Sequence, residues 1–480
     1  MADDRHAVAA QTVASDGGEQ IGRADLRTIE ASGLSLAGLA PTMAMALGTA
    51  FAASEAGAAV PLSYLLAMVG SFSLAYVVVR FARRYDMASG VAFTYVRGSL
   101  GKLAGFVSGW VYVAAWLSST AVVLAIGAVS ASALLARNGT TVSWTWIFLV
   151  ELLIVTTLNF LGVRPSVRLL VLLELVSMLA LAGVMIHVIS VGGASGASLK
   201  PFEPSLSPKG WSGIGYGMIY GFSGFAGFEA AAALGRESRD PGRTIPRAII
   251  VSLLGAAVFY ILVTYALSIG YGVNHAATWA SDPAPLDTIV GRYTGSAWAQ
   301  TIDAMVAVSA FSSGLGLITL STRVLADISR SKLAPRWLAA EHPRFATPYV
   351  GVISAALIAI ALAFAVGLST TVSTMIGWLA GANTLGLILV YVMMSLGALR
   401  EFRLQPAVPG RFADSLLART GLPTASVLLL GYALYASVVP QPAFPYNLTP
   451  VAVAGVVLVS LLAAAVLKAR GTEFDFEISV

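Results

Sequence analysis

Cysteine is absent from the 480 residues, which excludes disulfide frameworks, thiolate metal centres and thiol catalysis. Histidine is scarce too, and His6, His187, His275 and His342 are too scattered to build a metal site. Charged residues make up only 11% of the chain and hydrophobic ones 57%, where a soluble domain carries about 25% charged residues. With a mean hydropathy of +0.80, most of this chain belongs in lipid. No nucleophile elbow or paired histidines occur, and Gly98-Ser-Leu-Gly-Lys102 lacks the first half of a phosphate-loop pattern. Enzyme catalysis and ATP-driven transport are therefore unsupported, and no cofactor is expected. The net charge of +5 reports orientation in a membrane protein rather than affinity for nucleic acid. Residues 1–28 are polar and have no apolar run, which argues against a cleaved signal peptide and for a disordered cytoplasmic tail.

What the chain does have is long apolar runs. A span needs about 20 apolar residues, and twelve segments qualify: 33–55, 61–82, 103–136, 144–163, 167–191, 211–235, 246–272, 299–325, 348–367, 371–397, 424–439 and 448–468. Twelve spans put both termini on one side. Of the 29 lysines and arginines, 25 then fall on the side of the termini, and only Arg137, Lys200, Lys209 and Arg292 fall opposite. Basic residues accumulate on the cytoplasmic side, so both termini are expected inside the cytoplasmic membrane.

Two spans are interrupted. In span 6, Gly221, Gly224 and Gly227 sit among apolar residues just before Glu229. Glycine costs about 1 kcal/mol against alanine inside a helix, so this spacing predicts a broken helix. Span 1 carries Leu39-Ala-Pro-Thr-Met-Ala-Met-Ala-Leu-Gly48, where Pro41 removes a backbone donor and clashes with the preceding turn. Freed backbone at membrane depth is tolerated where it lines a protein cavity, and such helices mark the substrate site of many secondary carriers. Span 1 begins inside and span 6 outside, as inverted five-helix repeats require. The repeats are expected over residues 30–192 and 211–397, followed by a cytoplasmic loop at 398–423, two appended helices at 424–468 and a cytoplasmic tail at 469–480. The fold class is an all-α membrane protein.

Four motifs carry a resemblance, in order. Phe225-Ala-Gly-Phe-Glu229 with Glu237, Asp240-Pro241 and Thr244-Ile-Pro-Arg247 resembles the span 6 signature of the amino acid–polyamine–organocation superfamily. Ala82-Arg-Arg-Tyr-Asp-Met-Ala-Ser-Gly-Val-Ala-Phe-Thr-Tyr-Val96 resembles its loop between spans 2 and 3, and Asn159-Phe-Leu-Gly-Val-Arg-Pro-Ser166 its loop between spans 4 and 5. Ser321-Thr-Arg-Val-Leu-Ala-Asp327 with Leu333-Ala-Pro335 resembles the end of its span 8. The resemblance implies a five-plus-five inverted repeat and a permease importing amino acids, with an amine permease or exchanger as the alternative and a channel as a remote one. The family's glycine-rich break in span 1 is replaced here by Ala40-Pro41-Thr42, as in a smaller bacterial group. Ser223 stands where some arginine and polyamine exchangers carry a gating tryptophan. Ser177 stands where certain proton-coupled members carry a lysine.

Half-helix ends carry partial charge, N–H groups positive and C=O groups negative, which suits an amino acid zwitterion. Its carboxylate is expected on the N–H groups of Thr42, Met43, Ala44 and Met45. Its ammonium is expected on the carbonyls of Phe222, Ser223 and Gly224 and on those just before Pro41, Ala40 among them. Phe225 and Met43 would meet the side chain, Ala226 leaves room, and Gly227 allows close approach. A neutral or apolar side chain is favoured. The coupling ion stays open. Ser312 and Ser313 are candidates for sodium, because paired span 8 hydroxyls hold sodium in symporters of this fold. Glu229, Glu174 and Asp303 are candidates for a proton, although each also reads as a structural carboxylate. Trp116, Tyr112 and Trp378 either line the path or pack. Arg83, Arg84, Asp86 and Tyr95 form either an inner gate or a solvated loop.

Overall fold

The computed structural model describes residues 28–83, 85, 91–162, 167–229, 241–330, 334–368, 370–404 and 415–469. Both predicted tails, apart from Thr28 and Ala469, lie outside these ranges. So do Arg84, Asp86, the run 230–240 and the centre of the loop at 398–423. Helices account for all regular structure among the described residues, as expected where lipid offers backbone groups no partner.

Each of the twelve predicted segments overlaps a helix within the described residues. Span 1 is split into α1 (Thr28–Leu39) and α2 (Pro41–Ala56), and a short 3-10 turn leads to α3 (Val60–Ala82). The loop that follows holds a short helix missed in the sequence, α4 (Val91–Leu100). Then come α5 (Lys102–Arg137), α6 (Trp144–Phe160), α7 (Val167–Ser190) and α8 (Gly210–Phe225). The chain continues through α9 (Pro241–Tyr271), the short α10 (Ala276–Ser281) and α11 (Pro285–Thr294), and α12 (Ser296–Arg330). The last four are α13 (Tyr349–Gly367), α14 (Val372–Leu404), α15 (Leu422–Ala436) and α16 (Thr449–Ala469). Helix α14 runs on past the predicted end at residue 397, into the segment read as loop.

Among the described residues nine segments are long and apolar enough to cross a membrane. The difference from twelve has a physical cause. Helices α2 and α3 run together as one 42-residue segment. The 17-residue α6 is short, and α1 and α8 are the halves left by the breaks.

Helix α8 sits deep in the bundle against α2 and α3 because three glycines four residues apart leave no side chain on that face. A Cβ at Gly221 would lie 2.7 Å from the Ala67 Cβ, and one at Gly217 would lie 2.6 Å from the Ser63 Oγ. At Gly213 it would lie 2.2 Å from the Glu55 carbonyl oxygen. Small residues at such spacing let helix backbones approach closely in membranes. Helix α5 packs along α12 and α14. Helix α16 keeps Val451, Leu458, Val459 and Leu462 on the outside, as a lipid-facing helix requires.

Candidate functional site

The break in span 1 falls at one residue. Ala40, between α1 and α2, takes φ 45° and ψ 60°, a left-handed conformation that costs a non-glycine residue about 1–2 kcal/mol. Pro41 follows as the first helical residue, where its missing N–H is no loss. No side chain of α2 caps this terminus. The cap comes from another helix: Glu174 of α7 accepts a hydrogen bond from the Thr42 N–H through Oε1 at 3.0 Å. The hydroxyls of Thr42 and of Ser309, on α12, stand beside the same carboxylate.

The break in span 6 follows Phe225. Ala226 is extended at φ −65°, ψ 139°, and Gly227 takes φ 102°, a region open to glycine and strained for other residues. The freed carbonyls find partners. The Tyr260 hydroxyl donates to the Gly224 oxygen at 2.6 Å, and the Ala226 N–H donates to the Ser223 oxygen at 3.3 Å. The Phe225 ring meets the Tyr260 ring edge-on, 5.0 Å between centroids, and does not face the cavity between the breaks.

Glu229 is 2% exposed and holds the strand of chain after the break. Its carboxylate accepts from the Tyr391 hydroxyl at 2.5 Å, the Tyr112 hydroxyl at 3.2 Å and the Gly227 N–H at 3.1 Å. These bonds tie it to α14, α5 and its own turn. The segment that follows it, residues 230–240, lies outside the described residues.

Between the two breaks lies a small cavity of about 80 Å³. Met43, Ala44, Ser223, Gly224 and Ala226 form its wall at the breaks. Ala40, Pro41, Thr42, Met45, Phe222, Phe225 and Gly227 stand behind that wall. Helix α5 adds Trp116, Ser119 and Val122, α12 adds Ser313 and Leu317, and α14 adds Ile376, Ala380 and Asn383. No Asp, Glu, Lys, Arg or His among the described residues lines it. Phe51 and Tyr220 complete it with their rings 5.5 Å apart.

The remaining candidates are dispersed. Ser313 is buried in the cavity wall and Ser312 is half-buried beside it. The Ser177 hydroxyl donates to the Leu173 carbonyl at 2.8 Å, a packing bond common for helix serines. Asp303 sits with Asp287, which is ion-paired to Arg137, outside the cavity wall. His187 is exposed and Trp378 half-buried. Tyr95 stacks on Phe81 at 5.2 Å in an aromatic cluster. Sequence reasoning missed Tyr260, Tyr391 and the α14 face around Asn383, because unbroken helices give no local signal for the residues they aim at a site.

Two helix interruptions thus border one cavity with no charged side chain among its described lining residues. Residues 32–477 match the amino acid permease family. An uncharacterized transporter of Mycobacterium tuberculosis is 31% identical over 324 residues, covering 65% of this chain and 68% of its own. The branched-chain amino acid permease BcaP of Lactococcus lactis is 28% identical over 333 residues, covering 65% and 69%. The low-affinity putrescine importer PlaP of Escherichia coli is 24% identical over 314 residues, covering 63% and 66%. The chain therefore belongs to the amino acid permease family, and it is a multi-pass membrane transporter rather than an enzyme.

Proposed function

We propose that this protein is a secondary carrier that imports a neutral amino acid with an apolar side chain across the cytoplasmic membrane. It works by alternating access and is driven by a cation gradient. Twelve spans, the two inverted repeats and inward-facing termini complete the reading, supported by the 25-to-4 distribution of basic residues. The observation that carries the substrate class is the cavity wall. It joins the N-terminal end of α2, at Met43 and Ala44, to the C-terminal end of α8, at Ser223 and Gly224, with no charged side chain among the described residues that line it. Amides at one end suit a carboxylate and carbonyls at the other suit an ammonium. The rest of the wall, with Leu39, Val122, Ile126, Leu317 and Ile376, suits an apolar side chain. A diamine would bring a second ammonium to a place with no carboxylate to receive it, which is unfavourable in a desolvated site.

One observation favours a second reading. The Thr42 N–H is already occupied by Glu174 and the Ala44 N–H, also expected to be open, by the Ala40 carbonyl at 3.0 Å, so fewer amides remain for a substrate carboxylate, and a monoamine would need none of them. Thermal melting of the purified protein against paired ligands separates the two: leucine with isoamylamine, and valine with isobutylamine. Stabilisation by the amino acids and not by the amines is expected, and the reverse would replace the amino acid reading by the amine one. Counterflow of the stabilising ligand, labelled, in proteoliposomes then tests the carrier. A pore would dissipate the label without transient accumulation.

A further inference from the structure

The geometry points to Glu174 as the group that carries a coupling proton, held between α2, α7 and α12. This assignment rests on the carrier reading above and names its ion site. Glu174 is 4% exposed, and no lysine, arginine or histidine among the described residues is paired with it. An ionised carboxylate so placed is costly without a positive charge, and an acid at membrane depth is a functional candidate for that reason. Two further groups stand at the same point. The Thr42 and Ser309 hydroxyls lie beside the carboxylate, are 0% and 3% exposed, and make no hydrogen bond of standard geometry.

A proton fits this set. With Oε1 held by the Thr42 N–H, a proton on Oε2 needs one acceptor, and each hydroxyl oxygen has lone pairs to offer. After the proton leaves, the same hydroxyls rotate and donate to Oε2. The carboxyl group is thus hydrogen-bonded in both states, with no backbone rearrangement. A metal cation would need further oxygen ligands beyond this carboxyl and two hydroxyls. Of the titratable groups on the helices packed against α7, Tyr260 of α9 shares the field of Glu174. Asp303 of α12 is engaged with Asp287 of α11 and with Arg137.

The link to transport is short. Thr42 precedes Met43 and Ala44, which form the cavity wall. A substrate carboxylate on that wall repels an ionised Glu174 and not a protonated one, so each ligand raises the affinity for the other, as linkage requires. The proton enters from the outer side with the substrate, rides on Oε2, and leaves to water on the inner side. Glu229 differs: its three donors are already fixed, which gives it a positioning role.

The test uses the full chain in proteoliposomes with labelled leucine as probe, comparing wild type with Glu174→Gln and Glu174→Asp. Glutamine keeps an acceptor for the Thr42 N–H, so the cap survives while the titratable group is lost. Wild type is expected to accumulate leucine about 10-fold under an inward proton gradient. Glu174→Gln should retain counterflow within about 3-fold of wild type, show no gradient-driven accumulation, and bind leucine equally at all pH values. Glu174→Asp should recover part of the accumulation. Proton-driven accumulation by Glu174→Gln at the wild-type level would overturn the assignment. So would wild-type accumulation that stops when choline replaces sodium and ignores the proton gradient, or loss of counterflow in Glu174→Gln with an unchanged melting temperature. Absence of counterflow in the wild type would instead count against the carrier reading.

Discussion

The two breaks differ in how they are made, and that difference predicts opposite responses to paired substitutions. Gly227 takes φ 102°, yet a Cβ added there would meet nothing nearer than the Gly38 carbonyl oxygen at 3.5 Å. Gly227→Ala therefore fits in space and fails in backbone conformation, a cost of about 1–3 kcal/mol. At about 1.4 kcal/mol per tenfold in affinity, substrate binding should weaken by about 5- to 150-fold if the bound state needs this turn. Gly227→Val should abolish it. Ala40 already bears a left-handed conformation, so Ala40→Gly removes a penalty of about 1–2 kcal/mol and adds about 0.5–1 kcal/mol of unfolded-state entropy. Its net effect should lie between neutral and about 1.5 kcal/mol stabilising. Gly255→Ala on the exposed face of α9, where a Cβ meets open space, serves as the control. Melting temperature and leucine affinity of the purified variants are the measurements. If Gly227→Ala matches Gly255→Ala in both, the turn after Phe225 is not held in its strained form and the argument for a fixed break in span 6 fails.

Three other perturbations follow from the same contacts. Tyr391→Phe removes the 2.5 Å hydrogen bond to Glu229 and should lower stability by about 1–3 kcal/mol, the cost of leaving a buried polar group short of a partner, seen as a reduced melting temperature. Ala380→Trp should fill the cavity from α14 and abolish ligand-induced stabilisation while leaving the unliganded melting temperature within a few degrees of wild type. Tags placed before Met1 and after Val480 should be protected in intact cells, and one near Ala197 should be accessible from outside. An accessible C-terminus would refute the inverted repeats.

The helices were legible because lipid imposes one rule on every residue: apolar runs of sufficient length must be helical. The breaks were legible because glycine and proline act locally, and Ala40 and Ala226 lie where those residues placed them. What the sequence concealed is tertiary. Tyr260 and Tyr391 sit in regular helices, and nothing in their own segments distinguishes a tyrosine that reaches a broken backbone from one that packs. Glu174 was visible as a buried acid, but its bond to the Thr42 N–H depends on how α7 crosses α2. The short α4, α10 and α11 were missed because each has too few residues for periodicity to stand out.

A carrier must open its backbone at mid-membrane without leaving the opened groups bare, since an unsatisfied buried polar group costs about 1–3 kcal/mol. Here the protein supplies its own partners: Glu174 for the Thr42 N–H, Tyr260 for the Gly224 carbonyl and Glu229 for the Gly227 N–H. Under the proposed function a substrate binds to the capacity left over, such as the second lone pair of a carbonyl, rather than to empty groups. Tyr260 offers a direct test. Tyr260→Phe keeps the ring that seats Phe225 at 5.0 Å and Tyr64 at 6.1 Å and removes only the hydroxyl. The empty protein then loses a partner for Gly224, while a bound ammonium can take the vacated lone pair. The unliganded melting temperature should fall, and the increment produced by a saturating amino acid should grow beyond that of the wild type. A fall with no change in the increment would mean that the Gly224 carbonyl does not receive the substrate's ammonium, and the site would have to be drawn elsewhere along the cavity wall.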